Sequence, residues 1–116
     1  MSQKKFYITT AIAYPNWKPH MGHALEIIIA DTLARMHRMS WKEVEFQTGT
    51  DEHGIKNRRT AQKEWKDILE FLDENVSAFQ DMYKKLKVSY NTFLRTSDKD
   101  RHYPGVQKIR KKMADK

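Results

Sequence analysis

Apolar and polar positions change period several times along the chain, and each change marks a predicted element. Residues 5–13 (KFYITTAIA) are β-branched and aromatic and are stopped by Tyr14-Pro15-Asn16, which predicts a buried strand. A loop carrying Pro15 and Pro19 follows. From 22 to 39, Leu25, Ile28, Ile29, Leu33 and Met36 recur at steps of three and four, the pattern of a helix packed along one face. Residues 44–48 (VEFQT) read as a short strand, 49–54 as a turn and 55–64 as a basic helix. Ile68, Leu69, Leu72, Val76, Phe79, Met82 and Leu86 predict a second strongly amphipathic helix. Residues 88–95 alternate weakly and predict a short strand. Thr96-Ser97-Asp98 then offers an N-cap for a mostly polar last helix at 101–115.

Strand, loop, helix, strand, helix is the opening of an α/β fold, read here as the first half of a doubly wound, Rossmann-type parallel sheet. A right-handed crossover makes the first two strands parallel. The polar loops at 14–23 and 49–54 then both fall at the carboxyl ends of strands. Open α/β sheets bind their ligands along that edge, so the topology aims both loops at one crevice.

Composition narrows the picture. At 116 residues, with 39% hydrophobic and 32% charged positions, the chain makes one small globular domain. Its longest apolar run, 24–30, is interrupted by Glu26 and is far short of the ~20 residues of a membrane helix, so no membrane partner is expected. Residues 1–5 lead straight into the first strand without a secretory pattern. The absence of cysteine excludes disulfides and thiolate-bound metal within these residues and fits a cytoplasmic protein. Twenty-two Lys and Arg against 15 Asp and Glu give +7, a balance that favours polyanionic partners through long-range attraction. The basic run at 108–112 reads as a solvated helix face.

Two loops carry candidate chemistry. In the first, His20-Met21-Gly22-His23 runs into a helix whose N-terminal N–H groups and partial positive charge attract phosphate. His20 and His23 share a face if the helix starts near His20, and imidazole can donate to a phosphate oxygen. Gly22 removes a Cβ where a base or sugar would approach. Three readings stay open for the pair: surface or capping residues, metal ligands, or a phosphate site. In the second loop, Thr48-Gly49-Thr50-Asp51-Glu52-His53-Gly54, a carboxylate could hold an ammonium group or a metal-bound water, or Thr50 or Asp51 could simply cap the next helix. His20, His23, Asp51 and His53 would make a plausible zinc set, although their spacing matches no compact zinc motif. No Walker loop, Gly-x-Gly-x-x-Gly or Ser-His-Asp signature is present.

From about residue 5 to its end the chain resembles the N-terminal part of the methionyl-tRNA synthetases. His20-Met21-Gly22-His23 is similar to the His-Ile-Gly-His signature of class I aminoacyl-tRNA synthetases, and Thr48 to Gly54 resembles the methionyl branch specifically. Tyr14-Pro15-Asn16, Ala30-Asp31, Asp73-Glu74-Asn75 and Ser89-Tyr90 through Phe93-Leu94-Arg95-Thr96 extend the likeness. The resemblance implies the HUP-like class I catalytic fold, here truncated. Residues 1–116 would be the N-terminal part of that domain, ending about where the connective insertion should begin.

The activity implied is condensation of methionine with ATP, taken as its Mg2+ complex, to methionyl-adenylate, followed by transfer to tRNA(Met) in cytoplasmic protein synthesis. His20 and His23 would be the catalytic pair, contacting the ATP phosphates together with Gly22 and Glu26, the latter toward adenosine. Asp51 would accept the α-ammonium of methionine, Ala11, Ile12 and Tyr14 would line the start of its pocket, and His53 would support them. No metal site is expected within these residues. The second class I signature, a Lys-Met-Ser-Lys-Ser-like loop, is absent, so the isolated chain is expected to make no adenylate at a meaningful rate. Two further functions compete: a truncated non-catalytic paralogue that binds nucleotide, amino acid or a protein partner, and a small basic RNA-binding module using 56–59 and 108–112. The latter lacks an aromatic stacking platform.

Trp17, Trp41 and Trp65 each stand where the resemblance implies glycine. Two are at predicted helix C-termini, where positive φ is common, and one is in a tight loop. The expectation is that their codons are UGA, written as tryptophan but decoded as glycine in the host. The alternative is genuine tryptophan in a divergent copy, with Trp17 crowding the loop that leads to His20.

Overall fold

A computed structural model describes residues 4–115; the secretory-pattern reading of residues 1–3 lies outside them. Along the chain run β1 (Lys5–Thr9), α1 (Met21–Met39), β2 (Glu43–Thr50), α2 (Ile55–Lys63), α3 (Ile68–Lys85), β3 (Thr92–Arg95) and α4 (Tyr103–Ala114). The three strands form one parallel sheet in the order β1-β2-β3, with Ile8 beside Phe46 and Thr48 beside Phe93. The fold is therefore α/β with the expected parallel first pair, and β3 joins the free edge of β2.

The core lies where α1 and α3 meet the sheet. Ile27, Ala30 and Ala34 of α1, Val44 and Phe46 of β2, and Phe79 and Tyr83 of α3 form one buried cluster. Each large side chain buried in this way contributes about 1.5–3 kcal/mol. A smaller cluster joins Ala61 of α2 to Phe71 and Leu72 of α3. Polar joints lock the layers. Asp31 accepts from the Ser89 N–H at 2.7 Å, from the Ser89 hydroxyl and from Arg35 Nε at 2.7 Å. Burial opposes its charge, but these donors outweigh it and hold the carboxyl below its ordinary range. Arg38 spans to the Ser89 carbonyl and to Asn91 Oδ1, which also accepts from the Phe46 N–H.

Several predicted details change. The first strand ends at Thr9 rather than 13 and is an edge strand packed on one side, with Tyr7 exposed; beyond it Ala13 makes a lone parallel bridge to Thr50. The apolar stripe predicted to pack α1 is mostly outside: Leu25 is 62% and Ile29 54% exposed. The face that packs is Ile27, Ala30, Asp31 and Ala34, where two alanines let the helix lie close. β2 runs longer than predicted, to Thr50, because its end pairs with β3. Gly49 permits that pairing, since a Cβ there would sit 1.9 Å from the Leu94 carbonyl oxygen.

The predicted caps also move. Gly54, at φ 113°, starts α2 without a side-chain cap, and His102 starts α4 likewise. Asp98 instead turns the chain by accepting from the N–H groups of Asp100 and Arg101. α4 carries 108–112 with no buried residue, as a solvated face should.

Candidate functional site

The start of α1 is built by its two histidines. His20 is the N-cap in extended backbone, and its Nδ1 accepts from the Gly22 N–H at 3.0 Å. His23 Nδ1 accepts from the His20 N–H at 3.2 Å, closing a reciprocal box, and the rings lie 4.0 Å apart. Accepting at Nδ1 requires neutral rings that carry their proton on Nε2. The capping and phosphate readings therefore do not compete, because one ring nitrogen caps the helix and the other remains a donor. His23 also meets the edge of Phe79 at 4.9 Å. Its pKa is lowered first by burial and then by His20, with Glu26 opposing. A Cβ at Gly22 would come within 2.9 Å of the His20 ring, so glycine is needed here to admit the cap itself.

Glu26, one turn on, accepts from the Ala11 N–H at 2.9 Å and so fastens the segment after β1 to α1. The void beside it, between Thr10, His23 and Tyr83, measures about 10 Å3 and holds no ligand-sized group. Outside, His20, Met21 and Ala24 of α1 face Asp81, Met82 and Lys85 of α3 across an open groove of about 680 Å3.

The second loop is pinned to the first. Asp51 donates its N–H to the Ala13 carbonyl at 2.9 Å, next to the Ala13–Thr50 bridge, and Asp51 Oδ1 accepts from the His53 N–H at 3.2 Å. Glu52 turns inward with a fully buried side chain. Arg95 donates to its carboxylate from Nε at 2.6 Å and Nη2 at 3.1 Å, Thr50 donates at 2.9 Å, and the Ser97 hydroxyl donates as well. The Glu52 N–H reaches Thr96 Oγ1 at 2.8 Å, and Arg95 continues to Asp73 at 2.6 Å. Glu52 and then Asp73 raise the pKa of Arg95 further, against the effect of burial. His53 Nε2–H donates to the Thr96 carbonyl at 3.0 Å, and His102 Nδ1–H donates to the same oxygen at 3.0 Å.

Among the predicted site residues the structure unites His20 with His23, Glu26 with Ala11, and Tyr14 with the start of α2, where a Cβ on Gly54 would touch its ring at 3.6 Å. Ile12 and Tyr14 are 44% and 48% exposed. Among the described residues no hydrogen bond, ion pair or ring contact joins His20 or His23 to Asp51, and no group of three or more His, Asp or Glu is placed to hold a metal ion. The zinc alternative is not assembled, because Thr96 holds His53 by Nε2 and the backbone holds both helix histidines by Nδ1. Sequence reasoning missed the Glu52–Arg95–Asp73 network. Its partners stand 43 and 22 residues apart, and no local periodicity reports such a pairing. Among the described residues no helix is long and apolar enough to cross a membrane.

A profile of the family described as tRNA synthetases class I (M) matches residues 6–116. The methionine–tRNA ligase of Brucella suis biovar 1 is 51% identical over 109 residues, which are 94% of this chain and 21% of that protein. That of Clostridium tetani is 44% identical over 113 residues, 97% of this chain and 18% of that protein. Among solved structures, the Mycobacterium tuberculosis methionyl-tRNA synthetase in complex with methionyl-adenylate superposes with a TM-score of 0.84 at 44% identity, covering 87% of this chain and 20% of that one. The LeuRS–tRNA–LeuAMS complex of Agrobacterium radiobacter K84 follows at 0.79 and 25% identity, covering 84% of this chain and 13% of that one. The chain spans about a fifth of the length of the curated relatives it matches.

Proposed function

The chain belongs to the methionyl class I tRNA synthetases, and from that premise we propose that residues 1–116 are the opening part of a catalytic domain that activates methionine and charges tRNA(Met) in the cytoplasm. The carrying observation is the bond from the Asp51 N–H to the Ala13 carbonyl beside the Ala13–Thr50 bridge, which ties both polar loops to one edge of the sheet.

In the proposed step a carboxylate oxygen of methionine attacks the α-phosphorus of Mg2+-bound ATP. A bond forms between them, and the bond to the leaving pyrophosphate breaks. The attacking carboxylate is already ionised, so no general base is needed; positioning and charge stabilisation carry the reaction. His20 and His23, capped at Nδ1, offer Nε2–H donors to the phosphate oxygens at the positive end of α1. Gly22 keeps the His20 cap in place beneath them. Glu26, with one oxygen on the Ala11 N–H, has its second for the adenosine end. Asp51 accepts the ammonium group, a charge-assisted bond, while Ala11, Ile12 and Tyr14 begin the side-chain pocket. His53 steadies this loop through the Thr96 carbonyl.

The test is methionine-dependent ATP–pyrophosphate exchange by the complete gene product. Exchange should fall about 10²–10³-fold in His23→Ala, as for loss of a charge-stabilising donor. In Asp51→Ala the KM for methionine should rise more than that for ATP. Exchange that depends on another amino acid, or on none, would reject the reading.

A further inference from the structure

Three helices end in the same hydrogen-bonded turn. After α1, the Trp41 N–H donates to the Arg38 carbonyl at 3.0 Å and the Lys42 N–H to the His37 carbonyl at 3.2 Å. After α2, the Trp65 N–H donates to the Gln62 carbonyl at 3.2 Å and the Lys66 N–H to the Ala61 carbonyl at 3.1 Å. Each is a Schellman turn, whose residue just past the cap must take the left-handed conformation. Trp41 stands there at φ 57° and Trp65 at φ 55°. The third such turn, after α3, holds Lys87 at φ 52°.

Left-handed backbone brings an L-residue's Cβ too close to its carbonyl oxygen, so glycine is the usual occupant and a bulky aromatic is a genuine outlier. Nothing at either site repays that cost by burial. Trp41 is 86% and Trp65 95% exposed, while Phe46, Phe71 and Phe79 are all within the core. Tryptophan normally buries most of its surface. The chain has three tryptophans, and two of them occupy this one kind of position. Independent substitutions would scatter among residue types and among sites. One residue type recurring at glycine-type turns is what a single change of decoding produces. The glycine content agrees, with four in the chain against about eight expected at average usage.

We infer that positions 41 and 65 are glycine in the protein as its host makes it, and that their codon is UGA, which different genetic codes read as stop, tryptophan or glycine. The rule extends to every tryptophan written from the same codon. Trp17, 66% exposed in the turn before α1 and absent from the left-handed set, then becomes glycine as well and tests the rule at a position the turn geometry does not select. This inference is independent of the proposed catalytic role.

Two measurements test it. The first reads the three codons in host DNA and the masses of the matching peptides from protein isolated from that host. UGA codons with glycine-containing peptides are expected; UGG codons, or peptides retaining tryptophan, would overturn the inference. The second compares the chain as written with Trp41→Gly and Trp65→Gly, using Trp41→Ala and Trp65→Ala to separate backbone relief from loss of an exposed ring. Each glycine variant should raise the folding equilibrium constant about tenfold, and each alanine variant much less. Glycine no better than alanine would overturn the inference as argued from the left-handed turns.

Discussion

Protonating the His23 ring at Nδ1 removes a backbone acceptor at the start of α1, so the cap and the acidity of His23 are linked. His23 is lowered from 6.5, first by burial and then by His20. The folded chain therefore holds it neutral over a range where the unfolded chain binds a proton. Stability is lost as pH falls from about 6.5 toward the lowered folded value, and rises with pH through the same window. His37, lowered by desolvation and Lys42, adds in the same direction. Urea midpoints taken at about pH 7.5 and about pH 5.5 should drop on acidification. The drop should shrink in His23→Gln and persist in part in His37→Gln; equal drops in all three proteins would exclude the coupling. A second residue-scale effect is larger. Arg95→Ala leaves the buried Glu52 carboxylate without its cation and should cost about 3 kcal/mol in chemical denaturation. Asp73→Ala, at the exposed end of the same network, should cost less than about 1 kcal/mol.

At the scale of elements, how an end is held decides how firmly it stays closed. α3 begins with Asp67 accepting from the Leu69 and Glu70 N–H groups and buries Phe71, Leu72, Val76 and Phe79 behind them. Asp67→Ala should cost about 1 kcal/mol, seen as a lower thermal midpoint with the same cooperativity. α4 has no side-chain cap and no buried residue, so its amides beyond residue 106 should exchange with solvent far faster than those at 75–83 in α3. Comparable protection would mean that α4 is packed. The same contrast explains what the sequence made legible. Period-3.6 runs make α1 and α3 legible and weak alternation makes β3 so. β1 and β2 are read from β-branched and aromatic residues, and α2 and α4 from the turn and cap signals before them, all of them local features. The buried face of α1 was misread because the helix carries apolar residues on two sides, and its small residues, Ala30 and Ala34, chose the contact. The predicted caps differ because Thr50 and Ser97 donate their hydroxyls to the Glu52 carboxylate and Thr96 Oγ1 accepts from the Glu52 N–H. In the candidate site, the two motifs and their shared edge were readable. The Glu52–Arg95 joint that shapes the second loop was not, since it exists only once β2 and β3 pair.

For the whole molecule, the relevant fact is that one edge of a three-stranded sheet bears all the candidate chemistry. Under the proposed function, the start of α1 would supply donors to the attacked phosphate and Asp51 a carboxylate to the amino group. Pyrophosphate also needs charge stabilisation as it leaves, and the lysine-rich signature that the family resemblance assigns to that task is absent from these 116 residues. The groove beside His20 is open, and much of the apolar stripe on α1 faces solvent, so bound reactants would keep their water and much of their freedom. Holding two reactants in attack geometry is worth on the order of 10⁵ or more in rate, and it requires walls on both sides. The isolated chain should therefore show no methionine-dependent ATP–pyrophosphate exchange above a blank, even though its net charge of +7 draws ATP toward it. Titration calorimetry in parallel should find ATP binding that weakens steeply with salt, as expected for attraction without a closed pocket. Exchange well above the blank would mean that the His20–His23 start of α1 and the Asp51 loop suffice for adenylate formation, and that the remaining length of the relatives serves release and tRNA rather than the first chemical step.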